Sequence, residues 1–161
     1  MRGHVDPRTL KRRAQRLLQA LKVYPAEVSI LLTDDEEIHQ LNLQFRHKDK
    51  PTDVLSFALM EGEGGMPPLP PGVPQPLGDV IISVPTAMRQ VEQDGCLARL
   101  RPVLDQYQWS GEWGLKDEIT FLLLHGILHL LGHDHEEPEE AAVMQGLEGE
   151  HLPTLLNLKR R

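Results

Sequence analysis

The hydrophobic pattern peaks between Ile119 and Leu131, thirteen residues that are apolar on nearly all sides. A helix of that kind is buried. Asp117 and Glu118 sit at its start, where negative charge suits the helix dipole. Gly132 is placed to end it in the left-handed conformation. Earlier in the chain, Asp6-Pro7 reads as an N-cap followed by proline in the first turn. Leu10, Ala14, Leu17, Leu18 and Leu21 then form one helical face, and Lys11, Arg12, Arg13 and Arg16 fall mostly off it. That basic run reads as a solvated face in preference to an RNA patch. Val28 to Leu32 predicts a strand, and Thr33-Asp34-Asp35-Glu36 a capping box opening a short helix with Ile38 and Leu41.

Val54-Leu55-Ser56-Phe57 predicts a strand after a turn at Pro51. Val80 to Val84, introduced by Gly78-Asp79, is continuously apolar and predicts a central strand. Pro85 opens a helix to about Gly95, and residues 97–114 are expected to hold a short helix and a turn. A last helix is expected from Pro138 to Glu148, with Gly149 placed to stop it. Residues 60–77 contain ten Gly or Pro in eighteen positions, and we read them as a mobile loop between strands. No repeat is visible.

Composition adds limits. The 161 residues suit one domain with a substantial core. The N-terminus has no signal-type apolar run, and thirteen apolar residues are too few to span a bilayer. A single cysteine, Cys96, excludes an internal disulfide and fits a reducing compartment. A soluble cytoplasmic protein, without a membrane partner, is the expectation. Net charge is -7, which argues against a polyanion partner. The charge is uneven: residues 1–50 carry +3, residues 51–158 carry -13, and the tail Lys159-Arg160-Arg161 returns +3. Nucleic acid therefore stays open.

Candidate chemistry lies in HGILHLLGHDH, residues 125–135. His125 and His129 are four apart, hence neighbours on one helical face. Gly132 permits the chain to turn back, and His135 follows as a third ligand. Three histidines leaving a place for water make the arrangement of a catalytic zinc site; structural sites usually have four ligands including cysteine. One histidine in an apolar helix is usually satisfied by core hydrogen bonds, but this spacing is hard to obtain from packing alone. His133 is off the pattern and reads as a loop residue. Asp134 serves either as a turn residue or as an acceptor for a ligand imidazole. The spacing matches the zinc-protease signature His-Glu-x-x-His-x-x-Gly-x-x-His, with Gly126 in place of the glutamate. Without that general base, the metal cage survives but peptide hydrolysis loses its main proton carrier.

The chain resembles the YbeY family of bacterial metal-dependent endoribonucleases. HGILHLLGHDH matches that family's His-Gly-x-Leu-His-Leu-Leu-Gly-Tyr-Asp-His, with His133 in place of tyrosine. RHKDKPTDVLSF at 46–57 and LGDVIIS at 77–83 match two further signatures, and Met144 and Glu148 fit the pattern after the metal motif. The resemblance covers roughly residues 28–150. Departures are His133, the loop 60–77 and a longer stretch near 97–114. The resemblance implies an α+β fold, a mixed sheet of about four strands packed with helices, the histidine helix central. It implies one zinc ion on His125, His129 and His135, and a catalytic role for Arg46.

Arg46 also has a physical rationale, since a guanidinium fork pairs with the oxygens of a phosphodiester in cleavage. Its bland alternative is a surface ion pair with Asp49 or Asp53. Lys48 and Lys50 are either phosphate contacts or solvated loop residues. Thr52 and Asp53 are expected to shape the turn, and Ser56 has no base partner that would make it a nucleophile. The expected activity is single-strand-specific cleavage of ribosomal RNA, with attack by water or by the ribose 2′-OH both open. Ribosomal proteins and assembly GTPases are partners that the resemblance implies. Two alternatives are a peptidase-like metal hydrolase and a non-catalytic assembly factor stapled by zinc.

Overall fold

Helix α5, Leu115–Leu130, is the apolar axis around which the other elements collect. The structure is a computed structural model and describes residues 5–59 and 69–161. Before α5 come helix α1 (Pro7–Ala20), strand β1 (Ala26–Thr33), helix α2 (Asp35–Arg46), and strands β2 (Val54–Ala58) and β3 (Gln75–Ser83). Helices α3 (Val84–Glu92) and α4 (Gly95–Leu104) and the short strand β4 (Tyr107–Gln108) follow. After α5 come α6 (Pro138–Leu155) and β5 (Lys159–Arg160). The fold class is α+β, as expected. Among the described residues the main sheet has three strands in the order β1-β3-β2, with β1 parallel and β2 antiparallel to the central β3. The pair β4-β5 forms a separate antiparallel ladder that fixes the basic tail.

Alternation along β3 explains the layers. Val80 and Ile82 join the main core with Leu122, Leu123, Leu124, Ile127 and Leu128 of α5. Ile81 faces the other way and packs with Ile38 of α2 and Leu55 of β2. The sheet thus lies between α2 and α5. Each of these α5 side chains is buried almost completely, worth about 1.5–3 kcal/mol apiece. Among the described residues, no helix is long and apolar enough to cross a membrane.

Several expectations are corrected. Strand β3 begins at Gln75, inside the stretch read as loop. Pro76 is tolerated because the register shifts beside it: Glu27 faces Pro76 and Val28 faces Gly78, so Leu77 is an extra residue. A bulge is where a strand accepts a residue that cannot donate. Residues 60–68 of that stretch lie outside the described residues. Helix α6 does not stop at Gly149 but runs on to Leu155. Gly149 lies inside the helix, where a Cβ would meet Val103 of α4 at 3.4 Å, an ordinary van der Waals contact. Arg13 is not on a solvated face. It is 8% exposed, donates to Thr120 of α5, and its pKa is lowered by burial, with Asp117 acting against that. Glu118 turns inward and accepts from the Trp113 indole at 2.7 Å, leaving Asp117 to cap α5 through the Gly114 N–H. Burial and Glu118 push the Cys96 thiol up, which makes it a poor nucleophile. The capping box of α2 is displaced by one residue: Asp34 caps the Glu37 N–H, and Thr33 donates to the Glu37 carboxylate.

Asp35 anchors α2 to the start of α3. Its carboxylate accepts from Thr86 at 2.5 Å, Ser83 at 2.7 Å and Arg89 at 2.8 Å. The Thr86 hydroxyl contributes most, and with Ser83 and Arg89 it holds the carboxyl at about 2, against an ordinary 3.8. A depressed carboxylate pKa stabilises the fold above the unfolded pKa, and that stabilisation disappears as pH falls through the folded one. Asp35→Asn is therefore expected to lower the urea midpoint above about pH 5. The gap from wild type should close between pH 3.8 and about 2. A gap independent of pH in paired unfolding curves would show that the ionised form is not what matters.

Candidate metal centre

His125 and His129 project from the last two turns of α5. Their Nε2 atoms face each other at 3.1 Å, with ring centroids 4.7 Å apart. The turn that brings in the third imidazole is built from the backbone. Gly132 has φ +94°, its N–H donates to the His129 carbonyl at 3.0 Å, and the His133 N–H donates to the Leu128 carbonyl at 3.1 Å. These paired bonds are a Schellman motif, which a Cβ at position 132 would strain. The chain then reverses and carries the His135 ring to 5.5 Å from His125 and 5.2 Å from His129. One nitrogen from each ring lies within 4.8 Å of the others.

The donor set fits a zinc ion. Bonds of about 2.0–2.1 Å in a tetrahedron hold nitrogen ligands about 3.3 Å apart. The helical pair already has that spacing, and His135, on an exposed loop, needs only a small approach. Burial lowers the pKa of His129, and the neighbouring His125 and His135 lower it further. The metal-ligating form is the neutral one. No fourth His, Cys, Asp or Glu joins the cluster among the described residues, which leaves a coordination place for solvent or substrate.

The three rings line a groove of about 1460 Å³ that Arg46, Lys48 and Lys50 also line. Arg46 is the last residue of α2 and His47, at φ +58°, ends that helix. The Arg46 guanidinium donates to the Ser56 carbonyl at 2.5 Å and lies over the Phe57 ring at 5.0 Å. The ion-pair alternative is not what forms: Asp49 is 2.7 Å from His39, and Asp53 accepts from its neighbour Val54 N–H and from Gln90. Asp53 thus shapes the turn, as expected. The Ser56 hydroxyl donates to the Gly126 carbonyl at 3.1 Å, tying β2 to α5. Asp134 accepts from the His135 N–H at 2.7 Å and acts as a turn residue. His133 lines the groove.

Sequence reasoning assigned Glu148 no role. It is 2% exposed on α6, and one of its oxygens lies 3.6 Å from His125 Nδ1. The signal in the sequence is the resemblance, in which Met144 and Glu148 fit the pattern after the metal motif with no role attached to either.

A family model described as Endoribonuclease YbeY matches residues 2–156. The Endoribonuclease YbeY of Syntrophus aciditrophicus is 38% identical over 148 residues, 91% of this chain and 79% of that protein. That of Syntrophotalea carbinolica is 42% identical over 144 residues, 88% of this chain and 81% of that one. The solution structure of a Thermotoga maritima protein superimposes with a TM-score of 0.53 at 24% identity, covering 96% of this chain and 87% of the other, a likeness of fold. With matched residues running from the first helix through α6, the chain belongs to the Endoribonuclease YbeY family.

Proposed function

We propose that residues 1–161 form one zinc-dependent endoribonuclease domain that cleaves single-stranded RNA in ribosomal RNA maturation and ribosome quality control, in the cytoplasm. The observation that carries this reading is the convergence of His125, His129 and His135 on the wall of the groove that Arg46 shares. The relatives' printed activity supports it. When bound, the zinc supplies Lewis acidity and lowers a water pKa toward about 7. The chain supplies the rest. Arg46 pairs with non-bridging phosphoryl oxygens as charge gathers on them. Lys48 and Lys50 hold flanking phosphates along the same groove. A net charge of -7 leaves this local basic lining to attract RNA, with ribosomal proteins and assembly GTPases as the partners that deliver it.

Purified protein is expected to contain one zinc per chain by elemental analysis. It should cut an unstructured RNA and spare the same sequence in a duplex. Chelation should stop cleavage, zinc should restore it, and His129→Ala should be inactive in both states. Full-rate cleavage by the metal-free protein overturns the mechanism. A folded zinc form that never cuts single-stranded RNA replaces the enzyme with the zinc-stapled assembly factor.

A further inference from the structure

For Nε2 of His125 to offer its lone pair to an ion, the ring proton must sit on Nδ1. Nδ1 is buried and has no hydrogen-bond partner. A buried N–H needs an acceptor. The nearest carboxylate is that of Glu148, whose Oε2 is 3.6 Å away, too long for a hydrogen bond and short enough to become one with a small ring movement. Glu148 is itself almost fully buried, and a carboxylate in that position needs a reason and a counter-charge. Arg99 of α4 provides the counter-charge at 3.4 Å from the same oxygen. Its guanidinium lies 5.3 Å over the Phe121 ring, one turn before His125 on α5. Gly149, next to Glu148 on α6, faces Val103 of α4, the helix that carries Arg99.

We propose that Glu148 is the positioning residue of the metal centre: it accepts a hydrogen bond from the Nδ1–H of His125, fixes the tautomer that presents Nε2 to the metal, and is steadied by Arg99. The inference rests on reading the three histidines as a metal site. Carboxylates that orient ligand imidazoles typically contribute about 10–100-fold to metal affinity.

The test is zinc affinity of the full chain, measured by competition with a chelating dye. Glu148→Gln keeps the size and one acceptor but loses the charge, and should weaken binding about tenfold; Glu148→Leu should weaken it about a hundredfold. Leu152→Ala, a core truncation on the same helix, should lower the unfolding midpoint and leave zinc affinity unchanged. Imidazole ¹⁵N spectra of the zinc-loaded wild type should show the His125 proton on Nδ1 and the metal on Nε2, whatever the variants do. Equal affinity in wild type and both Glu148 variants, or a His125 ligated through Nδ1, overturns the role of Glu148 alone. A wild type that takes up no zinc brings down the metal reading as well.

Discussion

Gly126→Glu, which would complete a His-Glu-x-x-His helix, is expected to abolish folding and to create no protease. A Cβ at position 126 would lie 2.6 Å from Val80 Cγ1 and 3.1 Å from Ser56 Oγ. Val80 is fully buried on the central strand, held by β1 on one side and β2 on the other, so it has nowhere to retreat. Alanine alone should cost about 1–3 kcal/mol in overpacking, offset by about 1 kcal/mol of helix propensity. Glutamate adds a carboxylate buried against Val80 with no cation to meet it, a further several kcal/mol. Domains of this size are stable by only about 5–15 kcal/mol. The expected result is loss of soluble protein or of the cooperative unfolding transition for Gly126→Glu. Gly126→Ala should stay folded, with a lower midpoint and intact zinc binding. A Gly126→Glu protein with wild-type stability would show that α5 does not approach the sheet as described. Position 126 faces the sheet and not the groove, so the seat of the protease's proton carrier is filled by packing. A carboxylate in the place it holds in the protease helix therefore has no room here.

The same helix shows why some of the molecule was legible in sequence and some was not. The i, i+4 histidines, the glycine stop and the returning histidine are local features, governed by helix periodicity and one left-handed residue. The sequence could therefore place all three rings. The N-cap at Asp6 is also local and stands where the following proline and the hydrophobic pattern put it. What could not be read depends on a distant partner. Gly149 looks like a helix stop until Val103 is seen against it. Pro76 looks like a loop residue until β1 supplies the bulge that accommodates it. Arg13 looks solvated, yet Thr120, more than a hundred residues away, draws it in. Glu148 lies in an acidic helix and only the fold shows which of its acids turns inward.

Arg46→Ala is expected to lower RNA cleavage by about 10²–10³-fold, the loss usual when one donor to a developing oxyanion is removed. Zinc content should be unchanged, because Arg46 holds no ligand. The structural alternative predicts something else. Arg46 bonds the Ser56 carbonyl and covers Phe57, contacts that together contribute about 1–3 kcal/mol at an exposed site. If that were its whole purpose, Arg46→Ala would lower the unfolding midpoint and leave the rate of the folded fraction intact. Arg46→Lys separates the two further. It keeps the charge but loses the planar fork, so it should recover binding of RNA and recover cleavage only in part. The loss should fall on kcat more than on KM, since phosphoryl charge increases in the transition state. Ser56 links Arg46 to the histidine cluster. Its carbonyl holds Arg46 while its hydroxyl holds the Gly126 carbonyl, one residue from His125. The guanidinium and the imidazoles are thus fixed to one strand residue, and a rate loss in Arg46→Ala at constant zinc and constant stability would mark the two as parts of a single site.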